Sequence, residues 1–248
     1  MRRSPGRFPT FPRARFATAL VSAIALLAVV SPVPAVAQTA AIQPGASIIN
    51  ESGGQCTLNW VYDGAGELAG DVYIGTAGHC VERVGEQITL QSATFGDPLF
   101  AIGEVALISP NLDYSLIRVS DENLDLVDPA MKGHPQIPSG TSTTETTNFG
   151  DTVQFSGNGV GFHATTLTQE ERVGILHHHD ATDWSALGPV SPGDSGGPAA
   201  DVTDDNKALG IVTVLCIGTS CSGAGGVSLE GLLQDAASLG FTVTLRTV

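Results

Sequence analysis

Positive charge is what this sequence has least of. Of 248 residues only 11 are Lys or Arg, against 25 Asp or Glu, a formal balance of −14. Five of the eleven, Arg2, Arg3, Arg7, Arg13 and Arg15, fall within the first fifteen positions. Beyond them the basic residues are Arg83, Arg118, Lys132, Arg172, Lys207 and Arg246, which leaves a balance of −19. Phosphate binding needs clustered Lys and Arg, so nucleic acid is excluded as a partner, and anionic membranes repel such a surface. Internal repeats and heptads are missing. The 30 Gly and 14 Pro follow no period, which excludes collagen. Apolar runs recur along the chain and exclude wholesale disorder.

Long hydrophobic runs are missing as well. The apolar stretch Phe16 to Val30 falls short of the roughly 20 residues that a spanning helix needs. It follows the basic cluster and precedes Ala35-Val36-Ala37. A basic start, a short apolar run and a small-x-small site read as a secretory signal, cut after Ala37. The expectation is a secreted, extracellular protein. Cysteine is scarce: Cys56, Cys80, Cys216 and Cys221 are the four, all in the exported part. An even count in an oxidising compartment predicts two disulfides, with three pairings open; the local choice, Cys56–Cys80 with Cys216–Cys221, is preferred. No C-x-x-C pair suggests zinc, and the expectation is no metal.

What is present is mostly strand. Short β-rich segments at 56–62, 71–77, 87–90, 99–107 and 114–119 are separated by Gly, Asp and Pro. The polar tract Pro138 to Thr147 reads as a linker. Strands resume at 152–155, 161–168, 172–176, 197–200 and 208–215. Helical spacing is clear at Leu229 to Leu239, with Leu229, Leu232, Leu233, Ala236 and Ala237 on one side. The chain is therefore all-β in two halves, with one late helix.

Three segments carry chemistry: Thr76-Ala-Gly-His79-Cys80 at a strand end, Asp113 immediately before an apolar strand, and the tight turn Gly193-Asp194-Ser195-Gly-Gly-Pro198. A Ser hydroxyl needs a neighbouring base to become a nucleophile at neutral pH, and His suits that task. A carboxylate on the other ring nitrogen fixes the tautomer and stabilises the imidazolium. Asp97 and Asp71 are the next candidates for that acid. Gly193-x-Ser195-x-Gly197 also satisfies the nucleophile elbow of α/β-hydrolases, a fold that places its His after the Ser. All six histidines (79, 134, 163, 177, 178 and 179) precede Ser195, so that fold is excluded.

In the order His, Asp, Ser these segments closely resemble the trypsin/chymotrypsin-like serine peptidases, and among them the secreted bacterial streptogrisin and α-lytic type. The resemblance spans roughly residues 46 to 245. It implies two antiparallel six-stranded β-barrels with the site between them: 1–37 signal, 38–137 first barrel, 138–150 linker, 151–248 second barrel with the helix. It implies Ser195 as nucleophile, His79 as general acid/base, Asp113 as orienting acid, and the Gly193 and Ser195 amides as oxyanion hole. Thr213 occupies the slot of a residue hydrogen-bonded to the triad acid, and its strand pairs with substrate. Cys56–Cys80 resembles the family bridge, whereas Cys216–Cys221 departs from the family, whose second-barrel bridge begins before the nucleophile.

The family meaning of two further sites follows. No Lys or Arg lies between Arg15 and Arg83, so activation by a tryptic cut there is excluded. Asp194 then needs an internal partner, and the bacterial relatives point to Arg172. The residue six before the nucleophile, Pro189, lies at the base of the primary pocket with Val190 beside it. By the same resemblance Val214 belongs to the substrate-binding strand, and Leu215 stands at the pocket mouth. With no charge in these segments, small or medium apolar P1 residues are expected. The implied activity is a monomeric serine endopeptidase acting on polypeptides without a cofactor, with protein protease inhibitors as further partners. The alternative is a non-catalytic binding protein on the same fold. His177-His178-His179-Asp180, expected in a surface loop, and the acids at 121–128 and 201–205 are expected to be solvated side chains.

Overall fold

Period-two burial builds the strands, as over Arg172–His179, where Arg172, Gly174 and Leu176 point inward and Val173, Ile175 and His177 outward. The computed structural model describes residues 41–92, 96–133, 137–159, 172–217 and 222–248, all within the unit Thr39–Val248. The expected signal segment, the strand expected at 161–168 and the Cys216–Cys221 bridge lie outside the described residues or side chains.

Before the linker run β1 (Ser47–Ile49), β2 (Gln55–Thr57), β3 (Val61–Gly64), β4 (Val72–Thr76), β5 (Gln87–Gln91), β6 (Pro98–Ile108) and β7 (Ser115–Val119). After it come β8 (Thr152–Phe155), β9 (Arg172–His179), β10 (Asp183–Leu187), β11 (Pro198–Asp201), β12 (Lys207–Ile211), β13 (Val214–Ile217), β14 (Ser222–Val227), α1 (Leu229–Ser238) and β15 (Val243–Leu245). They form two curled antiparallel sheets, ordered β15-β3-β4-β7-β6-β5-β1-β2 and β12-β11-β8-β9-β10-β14-β13. Among the described residues the two sheets count eight and seven strands, where six per barrel are expected. Part of the reason lies at the C-terminus: β15 leaves the second half and pairs with β3, and Arg246 seals the contact on the Asp63 carboxylate. Residues 243–245 thus join the first sheet rather than the second barrel.

Three buried clusters hold the molecule. Ile48, Leu58, Ile74, Ile88, Ile102 and Ile117 fill the first sheet, and Val153, Phe155, Leu176, Trp184 and Leu209 the second. Between them Trp60, Tyr62, Tyr73 and Tyr114 pack on Ile211, Val227, Leu229, Leu232 and Ala236. β4 serves two clusters at once, with Ile74 on one face and Tyr73 on the other. The helix begins where Ser228 Oγ accepts from Gly231 N at 3.1 Å, a side-chain N-cap. It buries Leu229, Leu232 and Ala236, close to the expected face.

Cys56 and Cys80 are bridged, tying β2 to the turn after β4 across 24 positions of sequence. On the chain-entropy model a loop of this size contributes about 3 kcal/mol. Cys56→Ser with Cys80→Ser is expected to lower Tm by about 6–12 °C, read by calorimetry under non-reducing conditions.

Candidate active site

β4 ends at Thr76, and the chain turns through a 3₁₀ segment, Gly78–Cys80, that presents His79. Cys80 is anchored by its bridge, so the histidine between them has little freedom. Asp113, at the end of the loop before β7, takes hold of it twice. Its Oδ1 accepts from the His79 amide at 2.9 Å, and its Oδ2 lies 2.8 Å from Nδ1. A carboxylate only accepts, so Nδ1 carries the proton and the lone pair of the neutral ring sits on Nε2. The Asp113 hydrogen bond raises the His79 imidazole above the ordinary histidine value, against partial desolvation. Desolvation pushes the Asp113 carboxyl up, but the His79 side-chain and backbone hydrogen bonds more than offset it and leave it lowered. Asp113 is therefore anionic at neutral pH.

The turn Gly193–Gly197 is seated on the first half of the molecule by Thr57, which is fully buried. Thr57 N donates to Ser195 O at 2.9 Å and Thr57 Oγ1 to Gly193 O at 2.8 Å. Cys80 Sγ lies 3.8 Å from Ser195 O, which brings the serine beside the histidine turn. Gly196 has φ +87°, and a Cβ there would fall 2.2 Å from Thr76 Oγ1, so only glycine closes this seam. Gly193, at φ +102°, turns the backbone in the same way. The amides of Asp194, Gly196 and Gly197 are committed to Ser191 O, Val212 O and Asp194 O. Among the described residues, the Gly193 and Ser195 amides donate to no protein acceptor, and Ser195 Oγ makes no hydrogen bond.

Beneath the turn, Asp194 is buried and meets Arg172 in a bidentate ion pair, both side chains 2% exposed. Its carboxylate also accepts from Gly159 N and Ser191 N, each at 2.7 Å. Arg172 lies over the Phe155 ring, 5.9 Å from its centroid, and reaches Pro189 O at 3.4 Å. One guanidinium therefore links the Ser195 turn to the segment expected to floor the specificity pocket. Val190 is buried there, while Val214 and Leu215 on β13 are 49% and 45% exposed.

A cavity of about 420 Å³ adjoins Asp113, lined also by Leu112, Trp184, Thr213, Val214 and Val227. Thr213 shares this cavity with Asp113, yet among the described residues no hydrogen bond joins the two. Thr213 N instead donates to Gly225 O at 3.0 Å. His177–His179 do not form a loop: they extend β9, and a register shift against β10 bulges the strand at His177. His178 Nε2 is 3.3 Å from Asp180 Oδ2 and 3.5 Å from Asp183 Oδ1, in an exposed cluster. Sequence reasoning missed Thr57, Asn158 and Asp235. Each acts by hydrogen bonds spanning more than a hundred residues, and none carries a local signal.

No family model matches this sequence, and no curated protein matches it. Among solved structures it is similar to a glutamic-acid-specific serine protease described as using a novel histidine triad in substrate binding. The two share 20% identity at TM-score 0.56, over 83% of this chain and 100% of that one. A chymotrypsin of Cellulomonas bogoriensis matches at 17% identity and TM-score 0.54, over 84% and 99%. An alpha-lytic protease homologue, N4, matches at 20% and 0.51, over 83% and 100%. These likenesses show the chymotrypsin-like fold of bacterial serine proteases.

Removing Arg172 would strand a buried carboxylate. Arg172→Ala is expected to cost about 3–5 kcal/mol in urea unfolding. Arg172→Lys should recover little of it, because a point charge does not replace the bidentate fork.

Proposed function

We propose that this chain is a secreted serine endopeptidase that cleaves polypeptides through Ser195, His79 and Asp113. The observation that carries the reading is Asp113 gripping His79 at both its amide and Nδ1, beside a turn whose Gly193 and Ser195 amides are uncommitted among the described residues. The bridge Cys56–Cys80 suits an oxidising compartment and supports export.

The reaction follows from those groups. Ser195 Oγ attacks the scissile carbonyl carbon as His79 Nε2 takes its proton. Asp113 stabilises the imidazolium through Nδ1, and the Gly193 and Ser195 amides receive the oxyanion. The imidazolium then gives its proton to the leaving amine. Water, deprotonated by the same Nε2, releases the acyl group from Ser195. The hydrogen bond between Ser195 Oγ and His79 Nε2 that this step needs would form when substrate binds. No cofactor enters these steps.

Among the described residues β13 ends its sheet, and that edge supports the reading that an extended substrate or inhibitor segment adds there as a further strand. Pro189 and Val190 would floor the primary pocket and Leu215 narrow its mouth. Neither Leu187–Ser191 nor Thr213–Leu215 carries a charge or a histidine. A desolvated Arg, Lys or Glu side chain would find no counter-ion in these two segments, and small or medium apolar P1 residues would be favoured. The histidine triad described for the glutamic-acid-specific protease has no counterpart in these segments; this chain's triple lies on β9.

A sulfonyl fluoride is expected to leave a single adduct on Ser195, read by mass spectrometry, and none on Ser195→Ala. A folded chain that takes no label would overturn the enzyme reading and leave a binding protein on the same fold. In a P1-randomised peptide library, cleavage should concentrate after Ala, Val or Leu, with discrimination of about 1–3 kcal/mol per methylene. Dominant cleavage after Arg, Lys or Glu would refute the apolar pocket.

A further inference from the structure

The loop that carries Asp113 closes on itself where Ser109 N donates to Tyr114 O at 3.1 Å, and it is also bound from outside. Ser109–Tyr114 joins β6 to β7, and three of its side chains reach one carboxylate, Asp235, on α1. Ser109 Oγ donates to Asp235 Oδ2 at 2.6 Å, and the Tyr114 hydroxyl donates to the same oxygen at 2.9 Å. Asn111 Nδ2 donates to Oδ1 at 2.7 Å. Ser109 Oγ in turn accepts from the amides of Asn111 and Leu112, at 3.1 and 3.0 Å. The donors stand four and two positions before Asp113 and one after it. Both oxygens of Asp235 are used, and every partner lies in the one loop.

Local physics disfavours an acid at this place. Asp235 lies in the last turn of α1, which has no basic residue and whose carbonyl end carries negative partial charge. Aspartate is also a weak helix former. A residue that breaks both local rules while binding another element along both oxygens is explained by the tertiary contact. Burial pushes its carboxyl up, but the hydrogen bonds from Ser109, Asn111 and Tyr114 hold it below the ordinary value, so it stays an anion. Neutral donors surround it.

We infer that Asp235 is a positioning residue for Asp113: the C-terminal helix clamps the Ser109–Tyr114 loop so that the Asp113 carboxylate meets both the amide and Nδ1 of His79. The catalytic consequence rests on the protease reading; the geometric one does not. Asp113 is the charged group that faces His79, and its hydrogen bond raises the imidazole above its ordinary value. Loosening the loop weakens that bond, and the His79 titration must then move to lower pH.

The experiment is an NMR titration of the His79 imidazole in the full exported chain, its signal identified by His79→Gln. Asp235→Asn turns an amide NH₂ toward donors, and Ser109→Ala removes one donor while leaving the helix intact. Both are expected to lower the His79 midpoint. Both should also lower kcat by about 10- to 100-fold at constant KM, the scale of a small misplacement at a site. Ser228→Ala, which removes the N-cap of the same helix, should lower Tm without moving the midpoint. An unchanged midpoint in Asp235→Asn and Ser109→Ala, or an equal shift in Ser228→Ala, overturns the inference. If the wild-type chain hydrolyses nothing, the protease reading falls, while the midpoint still decides the role of Asp235.

Discussion

The arrangement depends on one buried side chain, Thr57, and on what it joins. Its amide, hydroxyl and carbonyl are all engaged. They bind Ser195 O, Gly193 O and the amide of Asn158 from the second half, and Thr76 Oγ1 from the first. Thr76 ends the strand that leads into His79, and Cys56 beside Thr57 is bridged to Cys80. The Ser195 turn and the strand that leads into His79 are thus bonded to the same residue. A polar group buried without partners costs free energy, whereas a satisfied network fixes a single arrangement. The seam between the halves is polar at the site and apolar behind it, where Trp60 and the tyrosines supply adhesion.

Around that seam, Asp113 and Asp194 are each held by an element distant in sequence. Asp113 lies in a loop between two strands of the first sheet, and that loop is bound to α1, which follows β14 of the second. Asp194 lies in the turn that carries Ser195 and is balanced by Arg172 from β9. The second pair is almost wholly desolvated, so neither partner can be removed singly without leaving an uncompensated charge. The constellation is a property of the folded whole, and no segment of it is preorganised alone.

The strands that the sequence concealed are instructive. β14 reads Ser-Gly-Ala-Gly-Gly-Val, with almost no β-propensity. Its glycines are required by close approach: a Cβ on Gly226 would fall 2.0 Å from Ile211 O. Strand identity there comes from neighbours, not from side chains. His177–His179 were concealed for the converse reason. Three adjacent histidines break the alternation because a bulge does, and periodicity cannot register an inserted residue.

By itself the sequence determined the residue types and their order: a His, an Asp and a Ser in that succession, glycines where the turn demands them, strands by alternation, and a helix by its apolar face. The Cys56–Cys80 bridge was legible as one of three pairings. These are local properties, set by covalent neighbours and by period. Only the tertiary structure decided which acid faces His79, that Thr57 seats the serine turn, that Asp235 grips the loop before β7, and that the C-terminal strand returns to the first sheet. Those contacts span from 34 to 183 positions. At such separations no local propensity acts, and the hydrogen bonds form where the packed cores bring donor and acceptor together.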